Sequence, residues 1–125
     1  MNTKVNIKDK LSLFNETWTP KIIGELNNQQ VKLAKLEGEF TWHAHDDEDE
    51  LFLILEGSLL MQIRNDSGEI EEVHLETGDM YIVPRGVEHN PIAKESASVL
   101  LFEPACTKHT GVLMTERTVT DQQWI

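Results

Sequence analysis

A mostly β fold, an antiparallel sandwich or barrel, follows from three features of the sequence. Short apolar runs recur from Lys21 to Glu103, each bounded by Gly, Asn or Pro. The alternation of strands with helices that marks a parallel α/β sheet is missing. Only one stretch, near the N-terminus, carries a helical period. Evenly punctuated short strands of this kind build antiparallel all-β domains.

In chain order, Ile7, Leu11, Leu13 and Phe14 place apolar residues at offsets of 0, 4, 6 and 7. That spacing predicts one short helix, and Thr19-Pro20 breaks it. Strands are then expected near 21–26, 30–36, 39–45, 50–56, 59–65, 70–76, 80–83, 89–93 and 98–103. The turns between them are Asn27-Asn28, Glu37-Gly38, Gly57, Asn65-Asp66-Ser67-Gly68, Thr77-Gly78 and Pro84-Arg85-Gly86. A chain of 125 residues fits one domain. Residues 1–20 form its N-terminal helical segment, 21–105 its β core and 106–125 a C-terminal extension.

Composition narrows the function classes. Apolar residues make up 39% and charged residues 26%, an ordinary globular balance. The formal charge of −11 opposes nucleic acid, whose binding rests on cations that neutralise phosphate, and disfavours anionic membrane surfaces. The longest apolar run, Leu51-Phe52-Leu53-Ile54-Leu55, is far shorter than the ~20 residues that span a bilayer. The single Cys106 excludes an internal disulfide framework and fits a reducing compartment. A cytoplasmic domain is the expectation.

Three histidines and a glutamate carry the chemistry. His43 and His45 are two apart in a strand-like segment, so both imidazoles project from one face. If Asp46-Asp47-Glu48-Asp49 turns the chain, Glu50 opens the next strand and points back at the same pocket. A turn at Pro84-Arg85-Gly86 can deliver His89 as a third imidazole. Imidazole with carboxylate suits divalent first-row ions such as Fe, Mn, Ni, Cu and Zn. Four protein ligands on a five- or six-coordinate ion leave positions open for water or substrate. Each group also has a plainer reading: a hydrogen-bonded rim histidine, a solvated acidic turn, a charge at a strand start. His74 and His109 are expected as surface or rim histidines.

The spacing resembles the two motifs of the cupins. The first, G-(x)5-H-x-H-(x)3,4-E-(x)6-G, is matched by Gly38, His43, His45, Glu50 and Gly57, with four rather than five residues after Gly38. The second, G-(x)5-P-x-G-(x)2-H-(x)3-N, is matched by Gly78, Pro84, Gly86 and His89, while Ala93 stands at the closing Asn. The motifs span Gly38 to Ala93, and the 20 residues between Gly57 and Gly78 suit the hairpin that separates them in the family. The resemblance implies a double-stranded β-helix, or jelly-roll barrel, with His43, His45, Glu50 and His89 as ligands of Fe, Mn, Ni or Zn. Pro84–His89 and Glu103-Pro104-Ala105 also look like small stand-alone bacterial cupins, loosely termed mannose-6-phosphate-isomerase-like. That label says little about substrate.

Strand alternation extends the reading. With Glu50 inward, Phe52 and Ile54 line the pocket, together with Pro91, Met61 and Ile63; Arg64 and Tyr81 are weaker candidates for substrate contact. Phe40, Trp42, Leu51, Leu53 and Leu55 then face outward as a patch larger than a monomer usually leaves to water. A homodimer that buries this patch is expected. The leading functional expectation is a metalloenzyme acting on a small molecule, by dioxygenase, isomerase or lyase chemistry. The alternatives are a non-catalytic module that binds or senses a sugar or metabolite, and a storage or structural barrel.

Overall fold

The computed structural model describes residues 4–105 and 122–125. Among the described residues one short helix, α1 (Ile7–Leu11), precedes eight strands: β1 (Lys21–Leu26), β2 (Gln29–Glu39), β3 (Glu50–Glu56), β4 (Ser58–Arg64), β5 (Ile70–Glu76), β6 (Met80–Val83), β7 (His89–Pro104) and β8 (Gln123–Trp124). The expected positions Cys106 and His109 lie outside the described residues, as does most of the C-terminal extension.

The long strand β7 organises the barrel. Its one edge pairs with β2 from Gln29↔Pro104 to Glu39↔Ile92. Its other edge pairs with β3 over the Ser98–Phe102 stretch and with β4 over His89–Ile92. The remaining strands extend the sheet in the order β5-β4-β7-β2-β1-β8, with β6 on β3. The sequence predicts a break between 93 and 98, whereas the chain runs through as one strand. A register shift sets Glu37 opposite Ser96 but Gly38 opposite Ala93, so Lys94 and Glu95 bulge outward and the strand bends instead of ending.

That bend crosses three adjacent strands. Gly38 on β2 and Gly57 between β3 and β4 flank the bulge, with φ of +80° and +78°. A residue with a Cβ adopts this left-handed backbone only at a cost. The glycines therefore mark a corner at which the sheet folds over on itself.

Alternation then fills the interior. β3 buries Glu50, Phe52 and Ile54 and leaves Leu51, Leu53 and Leu55 half-buried on the outer face. Leu59, Met61 and Ile63 of β4 and Ala93, Ala97, Val99 and Leu101 of β7 complete the core with Leu36, Phe40 and Val83. Outside the sheet, α1 starts at Asn6, whose side chain accepts from Asp9 N at 2.9 Å in an N-cap. Leu11 and Phe14 lie over Leu33, with Leu55 and Leu100 packed alongside. The helical segment thus covers part of the outer apolar face.

The segment 40–45 departs from the expected strand. Phe40 N donates to Pro91 O at 3.1 Å, but the next bonds join His43 and His89, at 3.0 and 2.9 Å. Three residues on one side oppose two on the other, and the extra residue reverses the parity. Phe40 therefore turns inward together with His43 and His45, contrary to its expected outward position, and is buried in the core. Trp42 stays on the outside, where the Arg64 guanidinium lies 5.0 Å from its ring centre.

Candidate metal centre

Local structure aims each of the four groups. His43 and His89 are a backbone-bonded pair, and Gly86 N donates to His45 O at 2.7 Å. The two motif segments are thereby laid side by side. Asp49 accepts from Arg85 N at 2.8 Å, which ties the acidic turn to the Pro84-Arg85-Gly86 turn. Glu50 opens β3 just beyond that tie.

The four side chains converge. His43, His45, Glu50 and His89 each offer a ligand atom, and these atoms lie within 4.8 Å of one another. All four are buried, from 5% exposed for His43 to 0% for His89. Glu50 Oε1 is 3.2 Å from His45 Nε2 and 3.6 Å from His89 Nε2. The carbonyls of Thr41 and Val87 lie 2.8 and 2.9 Å from Nδ1 of His43 and His89. A carbonyl can only accept, so each Nδ1 carries the hydrogen and each Nε2 keeps a lone pair for the centre.

The Nε2 atoms of His45 and of His89 are buried without a hydrogen-bond partner. Orphaned buried polar atoms are rare, and a cation accepting both lone pairs satisfies them. The set of three imidazoles and one carboxylate thus fits a divalent ion. Its electrostatics agree. Burial, with the neighbouring His89, pushes His43 down to about 3, which keeps it neutral. Burial opposes the charge on Glu50, but the His45 and His89 imidazoles facing it, with Glu103, outweigh it and hold the carboxyl well below its usual range. Burial also opposes a charged His45, and the Glu50 carboxylate overcomes this and raises it. An ion entering the site displaces that proton.

The centre opens onto an apolar cavity lined by Trp18, Pro20, Leu36, Phe40, Phe52 and Pro91, among others. Trp18 stacks on Phe40 with ring centres 4.4 Å apart, and its Nε1 donates to Glu37 O. The cavity is about 30 Å³, room for about two waters beside an ion. Pockets that hold drug-sized ligands measure roughly 300–1,000 Å³, so this cavity is small beside them.

Of the expected pocket residues, Phe52 and Pro91 line this cavity. Ile54, Met61 and Ile63 are packed in the core behind it, and Tyr81 lies against that core half-buried. Arg64 sits on the opposite face of β4 from Met61 and Ile63 and meets Trp42, Glu88 and Gly68 O. Strand parity directs it away from the cavity. Trp18, Leu36, Lys32 and Glu103 are interior residues that the motifs do not reveal. A signal for the last two exists: each stands on the apolar face of its strand, Lys32 with Ala34 and Leu36, Glu103 with Val99 and Leu101.

Comparison with known proteins agrees with the geometry. A sequence model described as "Cupin domain" matches residues 29–104. A cupin-2 domain containing protein from Shewanella frigidimarina has a crystal structure that superposes with a TM-score of 0.74 at 46% identity, over 80% of this chain and 93% of that one. The Bacillus subtilis protein YdbB is 40% identical over 95 residues, 67% of this chain and 80% of its own length. The 3-hydroxyanthranilate 3,4-dioxygenase of Xenopus laevis is 28% identical over 107 residues, 82% of this chain but 37% of the enzyme. The chain belongs to the cupin family.

Proposed function

We propose that this cupin is a divalent-metal enzyme of the dioxygenase type, acting on a small molecule that chelates an ion held by His43, His45, Glu50 and His89. The convergence of four buried donor groups, two with orphaned Nε2 atoms, carries the reading. The likeness to a dioxygenase favours that class over isomerase or lyase chemistry. The donor set suits Fe, Mn, Ni or Zn.

When bound, the ion supplies Lewis acidity and a meeting point for substrate and dioxygen. The protein does the rest. Thr41 and Val87 fix the imidazole tautomers, and Glu50 offsets the positive charge. Trp18, Phe40 and Phe52 exclude bulk water and present apolar surface to the body of the substrate.

The experiment is anaerobic loading with Fe²⁺ followed by oxygen-uptake measurements against a panel of small chelating metabolites. Uptake that depends on one compound and vanishes in His45→Ala is the expected result. Uptake no faster than with free Fe²⁺ contradicts it. Ligand-induced thermal shifts of the loaded protein without product favour a binding module instead.

The proposed assembly is a homodimer through the outer face of the barrel. Leu51 lies in register with Ile82 and Phe102, and Leu53 with Met80 and Leu100. Met80 and Ile82 are about half exposed. Leu55 belongs to the face covered by the helical segment, so the free patch lies toward β6. Leu53→Glu is expected to elute as a monomer on size exclusion while the wild type elutes as a dimer. A persistent dimer puts the interface elsewhere.

No helix among the described residues is long and apolar enough to cross a membrane.

A further inference from the structure

Part of the barrel wall beside the metal centre is not made by a strand. β1 pairs with β2 only as far as Lys21↔Leu33. Beyond that point, among the described residues, the same edge of β2 meets no strand but Thr17 and Trp18, through an isolated bridge from Thr17 to Lys35. Trp18 N donates to Lys35 O at 2.8 Å, and its Nε1 donates to Glu37 O at 2.9 Å. One residue thus takes two alternate carbonyls of the strand edge, the first with its main chain and the second with its side chain. The indole is buried, lies flat on Phe40 at an interplanar angle of 10°, and lines the cavity beside His43 and Glu50.

The backbone is strained at this residue. Trp18 has φ +57°, in the left-handed region where a bulky side chain is an outlier. Glycine adopts that conformation freely but brings no side chain to close the wall. Strained residues that persist in a fold collect at ligand sites. The segment is also anchored without the indole: Phe14 is buried with Leu11 and Leu33, Lys35 Nζ donates to Phe14 O at 2.6 Å, and Lys21 pairs with Glu16 at 2.7 Å. With Nε1 committed to Glu37, the indole offers the cavity only apolar surface, as do Leu36, Phe40, Phe52 and Pro91. The polar side chains of the lining are His43 and Glu50, two of the proposed ion ligands.

We propose that Trp18 is a specificity-determining residue of the metal centre: standing where a strand would otherwise close the barrel, its indole limits access to the ion to compact chelators. The cavity of about 30 Å³ leaves little room beyond the chelating atoms themselves. A ring attached to the chelating group would need the place on Phe40 that the indole occupies. The inference rests on the reading that the four-residue group holds a metal ion.

Co²⁺ serves as the probe ion, because its visible absorption changes when a chelator enters its coordination sphere, without any turnover. Acetohydroxamate and benzohydroxamate carry the same chelating group and differ in bulk. Each is titrated into Co²⁺-loaded wild type and Trp18→Ala, and each affinity is taken relative to that for free Co²⁺. Wild type is expected to favour acetohydroxamate by at least about tenfold, the discrimination that a small difference in bulk gives in a tight apolar pocket. In Trp18→Ala the benzohydroxamate ring can take the indole's place, and the preference is expected to shift toward it by at least about tenfold. Equal relative affinities in wild type overturn the inference, whether or not the variant folds. So does a Trp18→Ala protein whose two affinities move together, as they would for a residue that only supports the fold. Wild-type protein that takes up no Co²⁺ overturns the metal reading underneath, a failure seen before any chelator is added.

Discussion

His89→Ala is expected to lower the affinity for a divalent ion by more than about 100-fold, because losing a residue behind a ligand already costs about 10–100-fold and His89 is proposed as a ligand itself. Its side chain is wholly buried and its Nε2 has no partner other than the centre. The fold is expected to survive the change. The bonds that hold His89 to His43 run between main chains at 3.0 and 2.9 Å and do not involve the ring. The cavity left by the imidazole costs stability on the order of 2–4 kcal/mol, within the range for large-to-small core changes. His89→Gln, which fills most of that volume, separates the two effects: it should keep stability and still lose the ion. Metal content by atomic emission and thermal midpoints check both. Two variants with wild-type metal content reject the assignment.

Gly57→Ala gives the largest expected loss of stability from a single methyl group. Gly57 has φ +78°, and an added Cβ would overlap the carbonyl oxygen of Ser96 and come within 3.2 Å of Ala97 Cα. These are backbone atoms of the β7 bend, which no side-chain rotation can move away. Left-handed backbone alone costs an L residue about 1–2 kcal/mol. The overlap adds to that, for an expected total above about 3 kcal/mol, in the range that marks a named structural fault. Gly38 is the internal control. It has φ +80° and no atom within 4 Å of an added Cβ, so Gly38→Ala carries only the backbone cost. Urea unfolding of both variants measures the difference. Equal midpoints would show that the corner does not hold Gly57 against Ser96 as described.

Much of this architecture is legible in the sequence, for local reasons. The corner glycines, the Pro84–Gly86 turn and the His43–His45 spacing are written in residues whose conformational demands are their own. Glu50, Phe52 and Ile54 follow from simple alternation along β3. The inward turn of Phe40 is not legible, since it depends on one extra residue between two backbone pairings that a single strand's pattern does not display. The unbroken β7 is hidden similarly: Lys94, Glu95 and Ser96 fall in the gap between two expected strands, and only the pairing with β2 shows a bulge there. Trp18 reaches the cavity from the segment before β1, at φ +57°, a conformation that is uncommon outside glycine. The Lys32–Glu103 pair joins residues 71 apart in sequence, and only the sheet brings them together.

Everything chemical here depends on one cation being shared by three imidazoles and a carboxylate. Anomalous diffraction from crystals soaked in Co²⁺ or Fe²⁺, recorded on both sides of the metal's absorption edge, tests that most directly. The expected map has one strong peak per chain, about 2.0–2.2 Å from Nε2 of His43, His45 and His89 and from one oxygen of Glu50. A peak elsewhere with this group bare, or no peak from protein saturated with metal, contradicts the account.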